Sequence, residues 1–203
     1  MTGSLRERKK RATRESLCRA AVALVADRGL GAVTVEDIAA RADMSPRTFF
    51  NYFPTKEDAV SGWDPAVIAE MIDRLRGRPD GEAAPVALRA VLLEVLSRSD
   101  ADHRESLERL RVIRSDPRLV AHYASRWGDT ERLLVGVLAE RRGTDADHDH
   151  YASLVVATTL AACRVAMMSW CEKAGLVPLA QELASHLDVL GTGLTESATS
   201  VVA

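Results

Sequence analysis

The chain contains 203 residues, of which 47% are hydrophobic and 28% are charged, and its formal net charge is −2. This length and apolar content allow one large domain, or a small domain joined to a medium one, with a real hydrophobic core. Helix-forming Ala, Leu, Arg and Glu dominate, and apolar residues recur at helical spacing without long strand-like alternation. Composition and pattern therefore exclude a strand-based fold and predict an all-α one.

Charge is unevenly distributed along the chain. Residues 1–60 carry eleven basic and eight acidic side chains, a balance of +3, whereas the remainder carries sixteen and twenty-one, a balance of −5. The first nineteen residues are the most basic part, with seven basic side chains against two acidic ones. A basic head on an acidic body predicts a module that binds a polyanion, attached to a second module.

The cysteines predict free thiols rather than disulfides. Cys18, Cys163 and Cys171 are odd in number, and their spacing fits no zinc motif. The N-terminal sequence MTGSLRERKKR is charged and lacks the apolar segment of a signal peptide. We therefore expect a cytoplasmic protein in a reducing compartment.

One segment, residues 151–171, is long enough to cross a bilayer and contains a single charge, Arg164. Five hydroxyl residues, many alanines and the absence of a basic flank argue against a membrane span. These features favour a helix that is buried in the protein on nearly all of its faces, so no membrane partner is expected.

Local signals predict four helices in the first part of the chain. The first covers residues 11–28, and the basic segment 6–14 is expected to extend from it as a disordered arm. A second, short helix is capped by Thr34, with Asp37 at capping-box distance.

The third helix is predicted over residues 46–52, with Ser45 as its N-cap and Pro46 at its first position. Thr55 caps a fourth helix that is predicted to run towards Arg76. Two short helices joined by a turn, behind a longer supporting helix, are typical of a helix-turn-helix.

Beyond a linker predicted at residues 77–85, the chain is expected to be helical almost to its end, with about nine helices in all. A break at Asp116–Pro117 separates two of these helices, and residues 141–150 form a polar loop. The predicted helices cover residues 85–98, 102–115, 117–141, 151–171 and 178–194, and residues 195–203 are expected to be frayed.

Residues 20–60 contain a helix that ends in glycine, a T-x-x-x-I-A segment, a turn, and S-x-x-T-F-F-x-Y-F-x-x-K. This pattern closely resembles the DNA-binding head of the TetR family of bacterial repressors. Two residues depart from the family: Asp43 stands in the turn where Gly is frequent, and Phe50 stands where Tyr is usual. The positions that carry the resemblance are Thr34, Ile38, Ala39, Ser45, Thr48, Phe49, Phe50, Tyr52, Phe53 and Lys56.

The resemblance implies that the third helix enters the major groove of double-stranded DNA. Arg47 has the fork that matches guanine O6 and N7, and the basic arm 6–14 is expected to follow the DNA backbone or enter the minor groove. The alternative for each residue is a solvated position on a surface helix. The residues expected to contact DNA are Thr34, Ser45, Pro46, Arg47, Thr48, Phe50, Asn51, Tyr52 and Lys56.

The aromatic residues of this segment are expected to divide between two faces of the third helix. Phe49 and Phe53 are four residues apart and should pack inward, whereas Phe50 and Tyr52 flank the outward face. Large buried side chains are needed to hold so short a helix in place.

The resemblance also implies a homodimer and a small-molecule pocket in the C-terminal body. Dimerisation is expected through a four-helix bundle built from residues 151–171 and 178–194 of each chain, whose alanines allow close helix approach. The candidate pocket residues, each with core packing as its alternative, are Leu92, Leu96, His103, Arg111, Tyr123, Trp127, Cys163, Arg164 and Met167.

We therefore predict a DNA-binding domain at residues 1–55 and a ligand-binding and dimerisation domain at residues 56–203. The expected protein is a dimeric repressor that binds a palindromic operator and is released by a small, largely apolar ligand favouring a splayed state. The alternatives are a DNA-binding regulator without an effector and a small α-helical enzyme.

An enzyme is disfavoured because the sequence has no Gly-rich phosphate loop and no convergent cluster of titratable residues. The loop at 145–150, DADHDH, offers ligands for zinc or nickel, but no second cluster completes a site. Neither a metal nor a cofactor is expected.

Overall fold

The computed structural model describes residues 5–99 and 103–193, without the side chains of Glu7, Leu96, Arg98, Ser99 and His103. These described residues form ten α-helices and one 3₁₀ turn and contain no strand, so the all-α prediction is confirmed. The helices are α1 Leu5–Arg28, α2 Val35–Arg41, α3 Pro46–Phe50, α4 Lys56–Ser61, α5 Pro65–Arg76, α6 Ala84–Ser99, α7 His103–Ser115, α8 Pro117–Arg142, α9 His150–Glu172 and α10 Leu179–Gly191, and the 3₁₀ turn is Leu30–Ala32. The predicted frayed tail, residues 195–203, lies outside the described residues.

The chain divides into two compact units. The first unit consists of Met1–Pro65 and Arg104–Gly128, and the second of Ala66–His103 and Asp129–Ala203. The helix-turn-helix segment and the first half of α8 therefore belong to the same unit. The predicted boundary at residue 55 concerns the functional domains and stays a prediction.

The core of the first unit forms where α1, α2 and α3 meet. Leu17, Ile38 and Phe49 are completely buried, and Phe53 is 1% exposed. The side chain of Phe50 is 57% exposed on the opposite face of α3. The predicted division of the aromatic residues is thus confirmed for these phenylalanines.

Helix caps determine where the short helices begin. The Thr34 hydroxyl accepts a hydrogen bond from the Asp37 backbone N–H at 3.1 Å, and the Asp37 carboxylate accepts one from the Thr34 backbone N–H at 3.0 Å. The Ser45 hydroxyl accepts from the Thr48 N–H at 3.1 Å at the start of α3. Asp43 has a φ of 56°, the left-handed conformation that Asp tolerates better than most residues. These local predictions are confirmed.

Two predictions about helix length are wrong. The basic segment 6–14 is helical, because α1 already begins at Leu5. The predicted fourth helix is divided: α4 ends at Ser61, Gly62 adopts a φ of 66°, and α5 begins at Pro65. A left-handed glycine ends a helix and a proline suits the first position of the next one, so these residues explain the break.

In the second unit, α9 packs against α10. Trp170 is 1% exposed, and its Nε1–H donates to the Val177 carbonyl at 2.7 Å. The buried Glu182 carboxylate accepts hydrogen bonds from the Ser169 hydroxyl at 2.6 Å and the Lys173 ammonium at 2.7 Å. These contacts hold the end of α9 against α10.

Among the described residues, α9 is the one helix long and apolar enough to cross a membrane. Of its most apolar stretch, 39% is buried within the chain. The prediction that it is buried on nearly all faces is wrong for the single chain. Its outward face exposes four large apolar side chains, which are Tyr151, Leu154, Val165 and Met168.

Candidate DNA-binding surface and ligand-contacting residues

The outward face of α3 presents the residues expected to contact DNA. Ser45, Pro46, Arg47, Phe50 and Asn51 are exposed. Because Phe49 beneath them is completely buried, the exposed side chains stand on a helix with a fixed position. A rigid helix with polar side chains at its N-terminal end is suited to contacting base edges and phosphates.

Several side chains that are predicted to contact DNA already form contacts within the protein. The Thr34 hydroxyl donates to Asp37 Oδ2 at 2.8 Å, so a phosphate at this helix terminus would compete with that carboxylate. The hydroxyls of Ser45 and Thr48 are hydrogen-bonded to each other at 2.9 Å. Tyr52 is half-buried against the core of the first unit.

Lys56 has a structural role that the sequence did not indicate. Its ammonium donates hydrogen bonds to the carbonyls of Leu30 and Val33, both at 2.8 Å. The side chain therefore links the start of α4 to the segment between α1 and α2. One of its three N–H groups is left for a phosphate.

Arg14 holds together segments that are far apart in the sequence. Its guanidinium donates to the Tyr52 carbonyl at 3.0 Å and to the Trp63 carbonyl, and it lies 4.1 Å from the centre of the Phe53 ring. It also forms a salt bridge with Asp64 at 3.5 Å. Arg14 was expected in the basic arm, but it fastens the end of the α3 segment to the connector between α4 and α5.

A buried carboxylate connects α4 with α8. Asp58 is 4% exposed, and its Oδ1 accepts from Arg126 Nε at 3.0 Å and lies 3.0 Å from His122 Nε2. The Thr55 hydroxyl donates to the other oxygen at 2.7 Å. Burial raises the pKa of Asp58, but hydrogen bonds from Thr55 and Arg126 and the positive charge nearby outweigh it, so the pKa is below its ordinary value.

The connector after α4 lies against α7. A Cβ atom placed on Gly62 would approach Arg109 Nη1 to 2.7 Å, so a larger residue here would displace the end of the Arg109 side chain. Arg109 in turn donates to Glu105 at 2.8 Å, and Arg19 of α1 approaches the same carboxylate at 3.8 Å. The left-handed φ of 66° is what favours glycine at position 62.

Two predicted pocket residues, Tyr123 and Trp127, lie together on α8, and the Trp63 ring packs against both. The ring centres are 6.1 Å apart for Trp63 and Tyr123, 5.9 Å for Trp63 and Trp127, and 6.0 Å for Tyr123 and Trp127. All three rings meet edge to face and are half-buried. We call this group the aromatic triad. Sequence reasoning missed Trp63 because it placed this residue within a continuous helix.

The other pocket candidates have mixed environments. Arg111 and Arg164 are exposed, which does not support a place in an enclosed pocket of the single chain. Leu92 is buried, Met167 is half-buried, and burial raises the pKa of the Cys163 thiol to about 12. The side chains of Leu96 and His103 lie outside the described part of the chain.

Comparison with known proteins identifies the family. The domain described as "MftR C-terminal domain" matches residues 82–195, and the one described as "Bacterial regulatory proteins, tetR family" matches residues 17–60. HTH-type transcriptional regulator TcmR of Streptomyces glaucescens is 34% identical over 172 residues, covering 82% of this chain and 76% of that protein. The chain belongs to the TetR family of bacterial transcriptional regulators.

Solved structures of TetR-family proteins share the fold. Thermus thermophilus FadR in complex with lauroyl-CoA superimposes with a TM-score of 0.54 at 22% identity, covering 94% of this chain and 99% of that one. The complex of Stenotrophomonas maltophilia SmeT with triclosan gives 0.58 at 19% identity, covering 93% and 96%.

Membership of the TetR family places the chain among transcription regulators with a helix-turn-helix DNA-binding domain and a ligand-binding C-terminal domain, and not among enzymes. The family resemblance inferred from residues 20–60 is thus confirmed, and it extends over most of the chain.

Proposed function

We propose that this TetR-family regulator is a homodimeric, cytoplasmic repressor that binds a palindromic operator and is released by a small, largely apolar ligand. The observation that carries the DNA-binding part is the division of α3 into a buried face and an exposed one. Phe49 is completely buried, whereas Arg47 is exposed at the N-terminal end of the helix. Residues 1–55 supply the DNA-binding domain in this proposal and residues 56–203 the remainder.

The exposed stripe on α9 supports the dimer. Its residues are spaced alternately by three and four positions, as in helices that pack along a common seam. Alanine and threonine lie in its middle, where small side chains allow two helices to approach closely. The stripe consists of the exposed Tyr151, Leu154, Val165 and Met168 and the half-buried Thr158 and Ala161.

A two-fold axis through this seam gives the regulator two recognition helices. Together with α10, the seam corresponds to the proposed interface of residues 151–171 and 178–194. Two heads about 34–36 Å apart contact successive major grooves of a palindromic operator. A single helix-turn-helix contacts too few bases to bind specifically, which is why dimerisation matters for function.

Ligand release follows from differential binding to two states of the dimer. A ligand that binds more tightly to the splayed state shifts the population away from the state that fits the operator. The FadR and SmeT structures contain lauroyl-CoA and triclosan, so this fold accommodates ligands with large apolar parts. Asp58 offers a route for the coupling, because it ties α4 directly to α8.

The experiment tests α3 on an operator identified by selection from random double-stranded oligonucleotides. We expect Arg47→Ala to weaken binding to the selected sequence by about 1–3 kcal/mol and to relax base preference at one position of each half-site. Arg132→Ala is the matched control, because the Arg132 side chain is 79% exposed in the second unit. An unchanged footprint and affinity in the Arg47 variant would contradict the proposed recognition surface.

A further inference from the structure

The aromatic triad lies at and beyond the margin of the core of the first unit. Tyr123 packs at the margin of that core, whereas Trp63 and Trp127 are not among the hydrophobic residues that form it or pack against it. The chain has only three tryptophans and three tyrosines, and three of these six residues meet here. Large aromatic side chains that are half-buried together, outside a core, provide surface on which a ligand can pack.

The triad also contains an unsatisfied hydrogen-bond donor. Trp127 Nε1 is buried and has no hydrogen-bond partner among the described residues. Trp170 shows the ordinary case in this chain, since its buried Nε1–H donates to the Val177 carbonyl at 2.7 Å. A buried N–H without an acceptor costs free energy on folding, so its retention requires an explanation.

A second donor of the same kind packs on the residue that precedes Trp63 of the triad. Arg109 Nε is the other buried side-chain donor without a partner in the described residues, and its guanidinium packs on Gly62. Gly62 directly precedes Trp63. Both unsatisfied donors therefore border residues 62–63, the connector between α4 and α5.

We propose that the aromatic triad binds a planar aromatic ligand through its rings, and that Trp127 Nε1–H donates a hydrogen bond to a carbonyl, or a comparable acceptor, on that ligand. This inference rests on the proposed function as a ligand-responsive regulator and specifies the chemical class of the ligand. The rings supply apolar and edge-to-face contacts, and the indole N–H distinguishes ligands that carry an acceptor.

Such a site would bear directly on the DNA-binding segment. Trp63 follows Gly62, and the Trp63 carbonyl accepts a hydrogen bond from Arg14, which also donates to Tyr52 near the end of α3. A ligand that displaces the Trp63 ring changes the connector to which Arg14 is attached. Ligand binding and the position of α3 are thereby linked within the first unit.

The test uses two planar probes that differ in one acceptor: 9-fluorenone, which has a carbonyl, and fluorene, which lacks it. Affinities are measured by tryptophan fluorescence quenching with wild-type protein and with Trp127→Phe, which keeps an aromatic ring and removes the donor. One hydrogen bond of ordinary strength corresponds to a preference of about fivefold to tenfold for fluorenone. We expect this preference in the wild type and its loss in the variant, which should bind fluorenone and fluorene with equal affinity.

Wild-type protein provides a test even if the variant does not fold. Indole N–H resonances of the three tryptophans are followed in ¹⁵N-labelled protein, and fluorenone should shift one of them downfield whereas fluorene should not. Equal affinity for the two probes, binding of neither, or a preference retained in Trp127→Phe would overturn the proposal. Binding to the selected operator is measured in the same preparations, so protein that binds DNA but does not distinguish the probes refutes this site alone.

Discussion

Arg126 of α8 donates a hydrogen bond from its Nε to Oδ1 of Asp58 in α4 over 3.0 Å, although the two residues are 68 positions apart in the sequence. The hydroxyl of Thr55, the N-cap of α4, accepts from the Asp58 backbone N–H at 3.1 Å and donates to Asp58 Oδ2 at 2.7 Å. One buried carboxylate thus serves both the start of α4 and its attachment to α8. This side chain fixes the position of the helix that follows the recognition segment together with the hydrogen bonds of Lys56 and the buried Ala59 and Val60.

Replacing Asp58 with Asn is expected to destabilise the protein strongly. The substitution puts a neutral amide where the partly exposed Arg126 guanidinium meets a carboxylate, and losing a hydrogen bond between charged groups typically costs about 1.5–3 kcal/mol. The free energy of unfolding in urea measures the effect. Asp188→Asn is the matched control, because the Asp188 side chain is 64% exposed and pairs with Arg89 on the surface. Equal losses of stability in both variants would show that Asp58 does not anchor α4.

Asp58 also predicts a dependence of stability on pH. Its pKa is lower in the folded protein than in the unfolded chain, so its contribution is complete above the unfolded pKa and is lost as the pH falls through the folded one. The free energy of unfolding, measured in urea between pH 7 and pH 3, should begin to decline at about pH 5. The decline should be shallower for Asp58→Asn, and identical slopes would contradict the assignment.

The basic N-terminal part of α1 is expected to contribute to DNA binding through charge alone. Lys9 and Lys10 are exposed on the helix, so Lys9→Gln with Lys10→Gln removes two charges and leaves the fold unchanged. The slope of log K against log salt should fall in magnitude by about 0.9 for each DNA phosphate that the variant no longer neutralises. Arg132→Gln serves as the control, and a slope equal to that of the wild type would show that this end of α1 does not contact the backbone.

A charge in the middle of the α9 stripe should prevent dimerisation. Ala161 is half-buried between Thr158 and Val165 of the stripe, and Ala161→Glu would place an unpaired carboxylate in the proposed interface. Light scattering is expected to show a monomer. Ala121→Glu, which makes the same change at an exposed position of α8, should remain a dimer. A dimeric Ala161 variant would locate the interface elsewhere.

Local chemistry made the recognition segment predictable. Thr34, Ser45 and Thr55 cap helices because their hydroxyls reach the backbone three residues on, and such signals lie within one turn of chain. The inward placement of Phe49 and Phe53 followed from the helical period. Each of these features depends on neighbours in sequence, so the sequence alone was sufficient.

The break between α4 and α5 was also visible in principle. Gly62 and Pro65 are the residues that end one helix and begin another, but the prediction continued the fourth helix through them towards Arg76. By contrast, the contacts of Asp58 with α8 and of Arg14 with Trp63 join residues distant in the sequence. No periodicity or cap signals such pairs, because they depend on how the helices pack.

The two hydrogen bonds of Lys56 determine the step at which its side chain loses conformational entropy. A flexible lysine on a surface gives up rotamer freedom of about 1.5–2 kcal/mol when it is immobilised. In this protein the carbonyls of Leu30 and Val33 immobilise Lys56 as the domain folds, before any DNA is present. A phosphate that met its remaining N–H would find a charge already in position, and the cost of ordering the side chain would count against folding stability rather than against affinity for the operator.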